Sequence, residues 1–452
     1  MELYAEHLGV LDERWQAALD FAGLDAAVVA AGEPREYFLD DLAAPFRPNP
    51  HFAQWYPDAD CAHAALLIRP GVRPKLLFHQ PRDYWHQPPT VPGWAQEHME
   101  VVVFDDLEKL HAAVGEALAS SNRLAFVGER PPGNLTPVEH NPTLLLNHLH
   151  YHRAYKTRFE IACMALANAR AAAGHMAARE AFFAGASEFD THMRYLAAAR
   201  QTAEELPYHS IVAQNRHAGV LHYQHYDREP ARPLVSFLID AGASARGYAA
   251  DVTRTYAAPG ADEFAALVVA MDAAQRGLID GIRAGIGYGE IHEAAHRAVG
   301  AVLAEHGLVR GSGEAAFDSG LTRTFLPHGV GHLIGLQTHD VGGQQRSPEG
   351  GLRPPPEAYP ALRLTRTVEP GQVFTIEPGL YFIPMLLEQA RQSSAADDVD
   401  WDRVERLAPC GGIRIEDNVV VTGAGVRNLT REAFAQASAG AGSPGEISTD
   451  HA

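Results

Sequence analysis

At 452 residues the chain is too long for one ordinary compact domain and fits two or three, and its 46% hydrophobic content can fill sizeable cores. Fifty-six acidic residues against 37 basic ones leave a formal charge of −19, which argues against nucleic acid and anionic membrane surfaces as partners and favours small neutral or cationic ones. Cys61, Cys163 and Cys410 are few, odd in number and far apart, so neither a disulfide framework nor a thiolate zinc site is expected, and a reducing cytoplasm fits. The start Met1-Glu2-Leu3-Tyr4-Ala5-Glu6 has no basic export region, and no run approaches the roughly 18 consecutive apolar residues that span a bilayer.

Up to about residue 150, helix-like stretches alternate with short apolar runs at Ala26 to Ala31, Ala64 to Ile68, Lys75 to Phe78 and Val101 to Phe104, an α/β pattern. Loops rich in proline and polar residues, Pro45 to Pro57 and Pro81 to Pro92, separate them. A boundary is suggested where Pro131-Pro132-Gly133-Asn134 and Asn141-Pro142 give way to an Ala-rich run, Phe159 to Ala184. Thr157 and Glu160 have capping-box spacing for a helix there, and Gly185 is a natural stop. A second helix starts near Ser187, and a similar arrangement around Gly285 and Tyr288 reads as a weak internal repeat of helix pairs followed by strands. The expected domains are residues 1–155, 156–429 and a flexible tail, 430–452, which is rich in Ala, Gly and Ser and lacks an apolar period.

The chemistry lies in the second half. Leu234 to Ile239 is an apolar strand running into Asp240, and a second strand, Tyr248 to Tyr256, completes a hairpin in which Asp251, Thr253 and Thr255 share one face. Asp251 can then point toward Asp240; a turn-forming Asp240 and a solvated Asp251 are the plainer alternative. Phe374 to Glu377 is a strand ending at Pro378-Gly379, and Gly412 to Val421 another, with Arg414, Glu416 and Asn418 alternating against Ile413, Ile415 and Val419. That polar face is either half solvated or paired with a cation, since a carboxylate buried alone is costly. His328, His332 and His339 sit in a Gly-punctuated segment; Gly329, Gly331 and Gly335 disfavour a helical zinc pair, and a bent backbone presenting imidazoles to one cavity suits the composition better. Four carboxylates and one imidazole form a hard donor set for two divalent cations such as Mn²⁺, Fe²⁺, Co²⁺, Zn²⁺ or Mg²⁺, and two such ions about 3.5–4 Å apart serve amide hydrolysis.

The motifs Leu-Ile-Asp240-Ala-Gly, Asp251-Val-Thr-Arg-Thr, His328-Gly-Val-Gly-His332, Thr-Ile-Glu377-Pro-Gly and Gly-Gly-Ile-Arg414-Ile-Glu416-Asp, in this order, resemble the pita-bread metallopeptidases, most closely their bacterial prolidase (Xaa-Pro dipeptidase) group. The likeness runs from Tyr37-Phe38-Leu39-Asp40-Asp41 through Leu221-His222-Tyr223 to Asn418. It implies an α+β protein: an amino-terminal α/β domain, then a pita-bread domain of pseudo-twofold symmetry. It also implies two divalent metals, Mn²⁺ first and Co²⁺, Fe²⁺ or Zn²⁺ as alternatives, held by Asp240, Asp251, His332, Glu377 and Glu416. Asp240 would chelate one metal, Asp251 and Glu416 would bridge, and His332 and Glu377 would complete the other shell, with Glu377 as general base or proton shuttle. His222, His328, His339 and Arg414 would contact substrate or the oxyanion, and Tyr208 and Tyr288 would line the pocket; support of a ligand by hydrogen bonding is the alternative for each.

Cleavage of Xaa-Pro dipeptides by a metal-activated hydroxide, in a homodimer, is the function the resemblance implies, with organophosphorus esters as a possible side substrate. An Xaa-Pro aminopeptidase for longer peptides and a non-catalytic pita-bread binding protein are the competing readings. The insertion from Tyr381 to Pro409 and the full amino-terminal domain favour the dipeptidase by resemblance. Asp41 and Trp85 lie in loops that resemble the family's pocket-capping loops, where they would meet the substrate amine and close the pocket from either subunit; an exposed acid and a surface aromatic are the alternative.

Overall fold

The computed structural model describes residues 2–121, 123–131 and 139–439. In the strand Ala26–Ala30, Ala27 and Val29 face one apolar cluster with Leu11, Trp15, Phe52 and Trp55, while Ala26 and Val28 face another with Leu110, Val114 and Phe126. The division continues in Ala65–Arg69, where Leu66 and Ile68 join the first cluster and Ala65 and Leu67 the second. Because both faces are covered, these strands read as unbroken apolar runs. The mixed sheet they build has the order Glu100–Phe104, Val72–His79, Ala65–Arg69, Ala26–Ala30, Leu124–Val127, Glu139–His140.

The amino-terminal core continues past Pro142. Leu145 and Leu149 of the helix Thr143–Arg153 still pack into the amino-terminal cluster, and residues 132–138 lie outside the described residues. The next helix, Arg158–Phe183, opens on the predicted capping box: Glu160 N donates to Thr157 Oγ1 at 3.3 Å, and Thr157 N donates to the Glu160 carboxylate at 2.8 Å. It stops at Gly185, whose φ of +79° suits a residue without Cβ. Ser187 caps Glu188–Ala199, and the strands Ile211–Gln214, Ser236–Asp240 and Thr253–Ala257 follow as one sheet.

The second half repeats this plan. Helices Asp262–Asp280 and Tyr288–Glu305 precede a sheet of Val373–Ile376, Asp417–Thr422 and Gly425–Asn428. The halves are stitched edge to edge: Thr253 and Glu416 form a β-bridge, and Arg414 N donates to Thr255 Oγ1 at 3.1 Å. This seam carries the acidic residues of both halves to one place. The expected tail begins too early, because Leu429–Ser438 is a helix packed on Arg158–Phe183. Its Thr430 is fully buried, accepting from Asn418 N at 2.9 Å and donating to Asn168 Oδ1 at 2.6 Å. Leu429 and Ala433, four apart, supply an apolar stripe too short to show in Ala-rich sequence, and residues 440–452 lie outside the described residues. No described helix is long and apolar enough to cross a membrane.

Candidate active site

Two strands that read as continuous are interrupted at the seam. Thr253–Ala257 pairs with Ser236–Asp240 so that Thr253 stands opposite Asp240, whereas Tyr248–Ala249 pairs with Ser244–Ala245. Asp251 falls between, where alternation no longer decides its direction. Asn418 decides it instead: its Nδ2 donates to Asp251 O at 2.6 Å, and its Oδ1 accepts from Asp251 N at 3.0 Å and from Asn168 Nδ2 at 3.1 Å. On the other side, Gly412–Arg414 pairs with Gly379–Tyr381 and Asp417–Thr422 with Val373–Ile376, which leaves Glu416 in the break. Arg414, Glu416 and Asn418 are all buried, so the polar face of this segment turns into the site and not toward water.

The histidine segment forms no helix, as its glycines imply: it is extended over residues 330–334 and bends over residues 335–339. Residues 330–334 run beside Val373–Ile376: Glu377 N donates to Val330 O at 2.8 Å, Thr375 N to His332 O at 3.0 Å, and Ile334 N to Val373 O at 3.2 Å. Gly331 permits this approach, since a Cβ there would sit 2.0 Å from Thr375 O and 2.2 Å from the Tyr288 hydroxyl. His332 Nε2 lies 3.4 Å from Asp251 Oδ2 and 3.6 Å from Glu377 Oε1. Its Nδ1, 3.0 Å from Leu333 O, must donate to that carbonyl, which leaves Nε2 to ligate a metal. Asp251, His332 and Glu416 offer donor atoms within 4.8 Å of one another.

Asp240 completes the floor from the opposite side. It accepts from Tyr208 at 2.7 Å and from Arg414 at 2.7 Å, and Arg414 also donates to the Tyr381 hydroxyl at 2.6 Å and to Thr253 Oγ1 at 3.2 Å. Thr253 in turn donates to Glu416 Oε2 at 2.7 Å. Tyr381 passes its proton toward His328 Nε2 at 2.9 Å, and His328 Nδ1 donates to Gly329 O at 2.8 Å. Burial, with Arg414 nearby, lowers the His328 pKa to about 3, so this imidazole is neutral and both its nitrogens are occupied. A continuous chain of hydrogen bonds thus links His328, through Tyr381 and Arg414, to Asp240.

Whether these residues suit metal ions follows from their charge. Burial, together with Asp251, Glu377 and Asp240, raises Glu416 well above the usual carboxylate range. Burial, together with Asp251 and against Arg414, raises Asp240, and Glu377 is pushed up to about 7, mainly by burial. Asp251 is held low, because His332 beside it outweighs burial. Three buried carboxylates and the partly exposed Glu377, facing one guanidinium, are costly to ionise without further positive charge, and two divalent cations would balance them. The donor set fits.

Above the floor lies a cavity of about 1410 Å³ between the domains, walled by Tyr208, His222, Asp240, Asp251 and His339 and, from the amino-terminal side, by Arg47 and His150. The exposed His339 ring stands edge-on to His332, 4.4 Å away. Tyr288 is a correction: it is fully buried, stacks edge-on against Phe374 and donates to Thr375 O at 2.9 Å, so it braces the Glu377 strand from within the core. Asp41 and Trp85 are exposed and do not belong to this chain's own cavity wall.

Several supporting residues escaped sequence reasoning. Asn418 was visible only as one polar member of an alternating strand, and Tyr381 carried no signal. Asp340 is a buried acid beside His339 that pairs with Arg153 and, at 2.8 Å, with Lys156, while its own N–H donates to Leu333 O at 2.9 Å. The last helix of the amino-terminal domain thereby grips the loop bearing His339.

A buried cluster of carboxylates and an imidazole beneath an open cavity defines a metal-dependent hydrolase centre. Residues 162–423 match metallopeptidase family M24, and residues 2–151 match the Xaa-Pro dipeptidase N-terminal domain. The chain is 47% identical over 434 residues to the Xaa-Pro dipeptidase of Xanthomonas campestris pv. campestris (strain B100), across 96% of this chain and 98% of that protein. It is 46% identical over 436 residues to the Xaa-Pro dipeptidase of Stenotrophomonas maltophilia (strain K279a), with the same shares covered. Among solved structures, Pseudomonas aeruginosa aminopeptidase PepP superposes with a TM-score of 0.70 over 96% of this chain and 99% of that one, at 23% identity, a likeness of fold. The chain belongs to metallopeptidase family M24, and its relatives group it with the Xaa-Pro dipeptidases of that family. It is a metallopeptidase with the amino-terminal α/β domain and pita-bread domain that its motifs imply.

Proposed function

We propose that this chain hydrolyses Xaa-Pro dipeptides, with two divalent cations held by Asp240, Asp251, His332, Glu377 and Glu416. The observation that carries this is the 46–47% identity to Xaa-Pro dipeptidases across 96% of the chain. Mn²⁺ is the preferred ion, and Co²⁺, Fe²⁺ or Zn²⁺ also suit the donors. When bound, the cations supply Lewis acidity to the scissile carbonyl and lower the pKa of the attacking water. By motif position Asp240 would serve one ion and His332 and Glu377 the other, with Asp251 and Glu416 serving both. Glu377 serves as general base or proton shuttle; its side chain is 16% exposed, against 8% for Asp251, so it can meet both water and the leaving amine. Arg414, anchored on the Tyr381 hydroxyl, donates directly to Asp240 and keeps that carboxylate aimed. His222 and His339, on the cavity wall, donate to substrate oxygens, and Tyr208 orients Asp240 beside them.

The cavity of about 1410 Å³ is larger than a dipeptide requires, so length selection needs a cap. Phe38, Leu39, Tyr84 and Trp85 are 92%, 90%, 87% and 76% exposed, an apolar surface that asks for a partner. A second copy of the chain supplies it: in a homodimer Trp85 closes the neighbouring cavity and Asp41 meets the substrate amine. Three free, buried cysteines suit a cytoplasmic enzyme. Organophosphorus esters, whose tetrahedral phosphorus mimics the amide transition state, are a side substrate of the same centre.

The test is a metal-reconstituted assay of Ala-Pro, Leu-Pro, Gly-Pro, a tripeptide and a dipeptide without proline. Xaa-Pro dipeptides alone should be cut. Comparable cleavage of the tripeptide would transfer the chain to the aminopeptidases. Asp41→Ala and Trp85→Ala should raise KM with metal content intact, and unchanged kinetics in both would place length selection elsewhere.

A further inference from the structure

Between the strands Ile211–Gln214 and Ser236–Asp240 the chain makes a long irregular excursion, and His222 stands on it, exposed on the cavity wall. Irregular surface segments hold a side chain in place only where something ties them down. Here the tie is one carboxylate. Glu188, the first residue of the helix Glu188–Ala199, has a side chain only 1% exposed. Its Oε1 accepts from Gln214 N at 2.7 Å and meets His217 Nδ1 at 2.8 Å. Its Oε2 accepts from the Tyr223 hydroxyl at 2.8 Å and from Asp227 N at 2.7 Å. These donors come from the start, the middle and the far side of the excursion. Tyr223, the immediate neighbour of His222, also stacks on His217 with ring centroids 4.3 Å apart.

Glu188, His217 and Asp227 present the donor types of a metal site as well. The hydrogen bonds argue against one: each Glu188 oxygen already takes two donors, which fills the four lone-pair positions of a carboxylate. A buried acid satisfied by four donors, three of them backbone or imidazole N–H groups, is instead a clamp.

We propose that Glu188 is a positioning residue for the peptidase reaction, acting through the loop it clamps to hold His222 against the substrate. This rests on the reading of His222 as a substrate contact. The test compares the metal-reconstituted full chain with its Glu188→Gln, His222→Ala and doubly substituted forms, measuring kcat/KM on Ala-Pro and bound metal. A glutamine must turn an NH₂ group toward two donors, so the loop shifts. The expected result is a loss of about 10- to 100-fold in kcat/KM for Glu188→Gln, the scale of a misplaced active-site group, with bound metal unchanged. On the His222→Ala background the same substitution should cost nothing more. A full multiplicative loss on that background, or metal content falling in step with activity, would overturn the proposal by showing that Glu188 serves the scaffold alone. So would an unchanged Glu188→Gln beside an impaired His222→Ala. A silent His222→Ala would overturn the reading of His222 itself, and this proposal with it. Tyr223→Phe deletes one of the four bonds and no charge, and it keeps the test decisive should Glu188→Gln fold poorly. It should lose about 3- to 10-fold, again only while His222 is present.

Discussion

Asn418→Ala probes how Asp251 is aimed. The amide makes three buried hydrogen bonds, two to the Asp251 backbone and one to Asn168. At about 1 kcal/mol each, their loss should lower stability by about 3 kcal/mol, and the Asp251 N–H and C=O are left buried without partners. Because Asp251 lies where the strand is interrupted, no ladder restores its direction, and its carboxylate should drift from His332. Loss of a group that holds a metal ligand in place typically weakens metal binding or activity about 10- to 100-fold, and the same scale is expected here. The assay is a Mn²⁺ titration of metal-stripped protein, following bound metal by equilibrium dialysis and turnover of Ala-Pro, with Tm measured alongside. A lowered Tm with wild-type Mn²⁺ affinity would refute the reasoning, since Asn418 would then serve only the core.

Stripping the metal should abolish peptidase activity, and Asp251→Asn or Glu416→Gln should reduce bound metal and turnover together, as metal analysis beside kinetics will show; full activity in demonstrably metal-free protein would defeat the two-metal reading. His339→Ala should keep its metal and lose most of kcat/KM, because its ring neighbours His332 without belonging to the donor set; metal loss equal to that of Asp251→Asn would make it a ligand. Asp340 is held below the usual carboxylate range: burial opposes this, but Arg153 and Lys156 outweigh it. A depressed folded pKa contributes stability above the unfolded value, near about 3.9, and that contribution is lost as pH falls through the folded pKa. Tm measured against pH should therefore fall less steeply below about pH 4 in Asp340→Asn than in wild type, from a lower starting value; parallel curves would deny Asp340 this role.

The sequence determines a good deal alone. The amino-terminal strands are legible because both faces are buried, and the long helix because Thr157 and Glu160 cap it and Gly185 ends it. The donor types, and through their motifs the family, are also legible, since hard metals require carboxylates and imidazole at recognisable turns and strand ends. What tertiary structure alone decides is direction. Periodicity tells which face a side chain takes only while a regular ladder continues, and Asp251 and Glu416 lie where the ladders break. Their orientation comes from partners distant in sequence: Asn418 holds the Asp251 backbone, and Thr253 bonds Glu416. The 2.7 Å bond of Arg414 to Asp240 appears only in the fold, and Tyr288 reads as a pocket wall until Gly331 lets the histidine strand close over its hydroxyl. The Asp251, Glu416 and Arg414 contacts form across the seam between two halves of the domain and that of Tyr288 between distant segments of the second half, and no local preference encodes them.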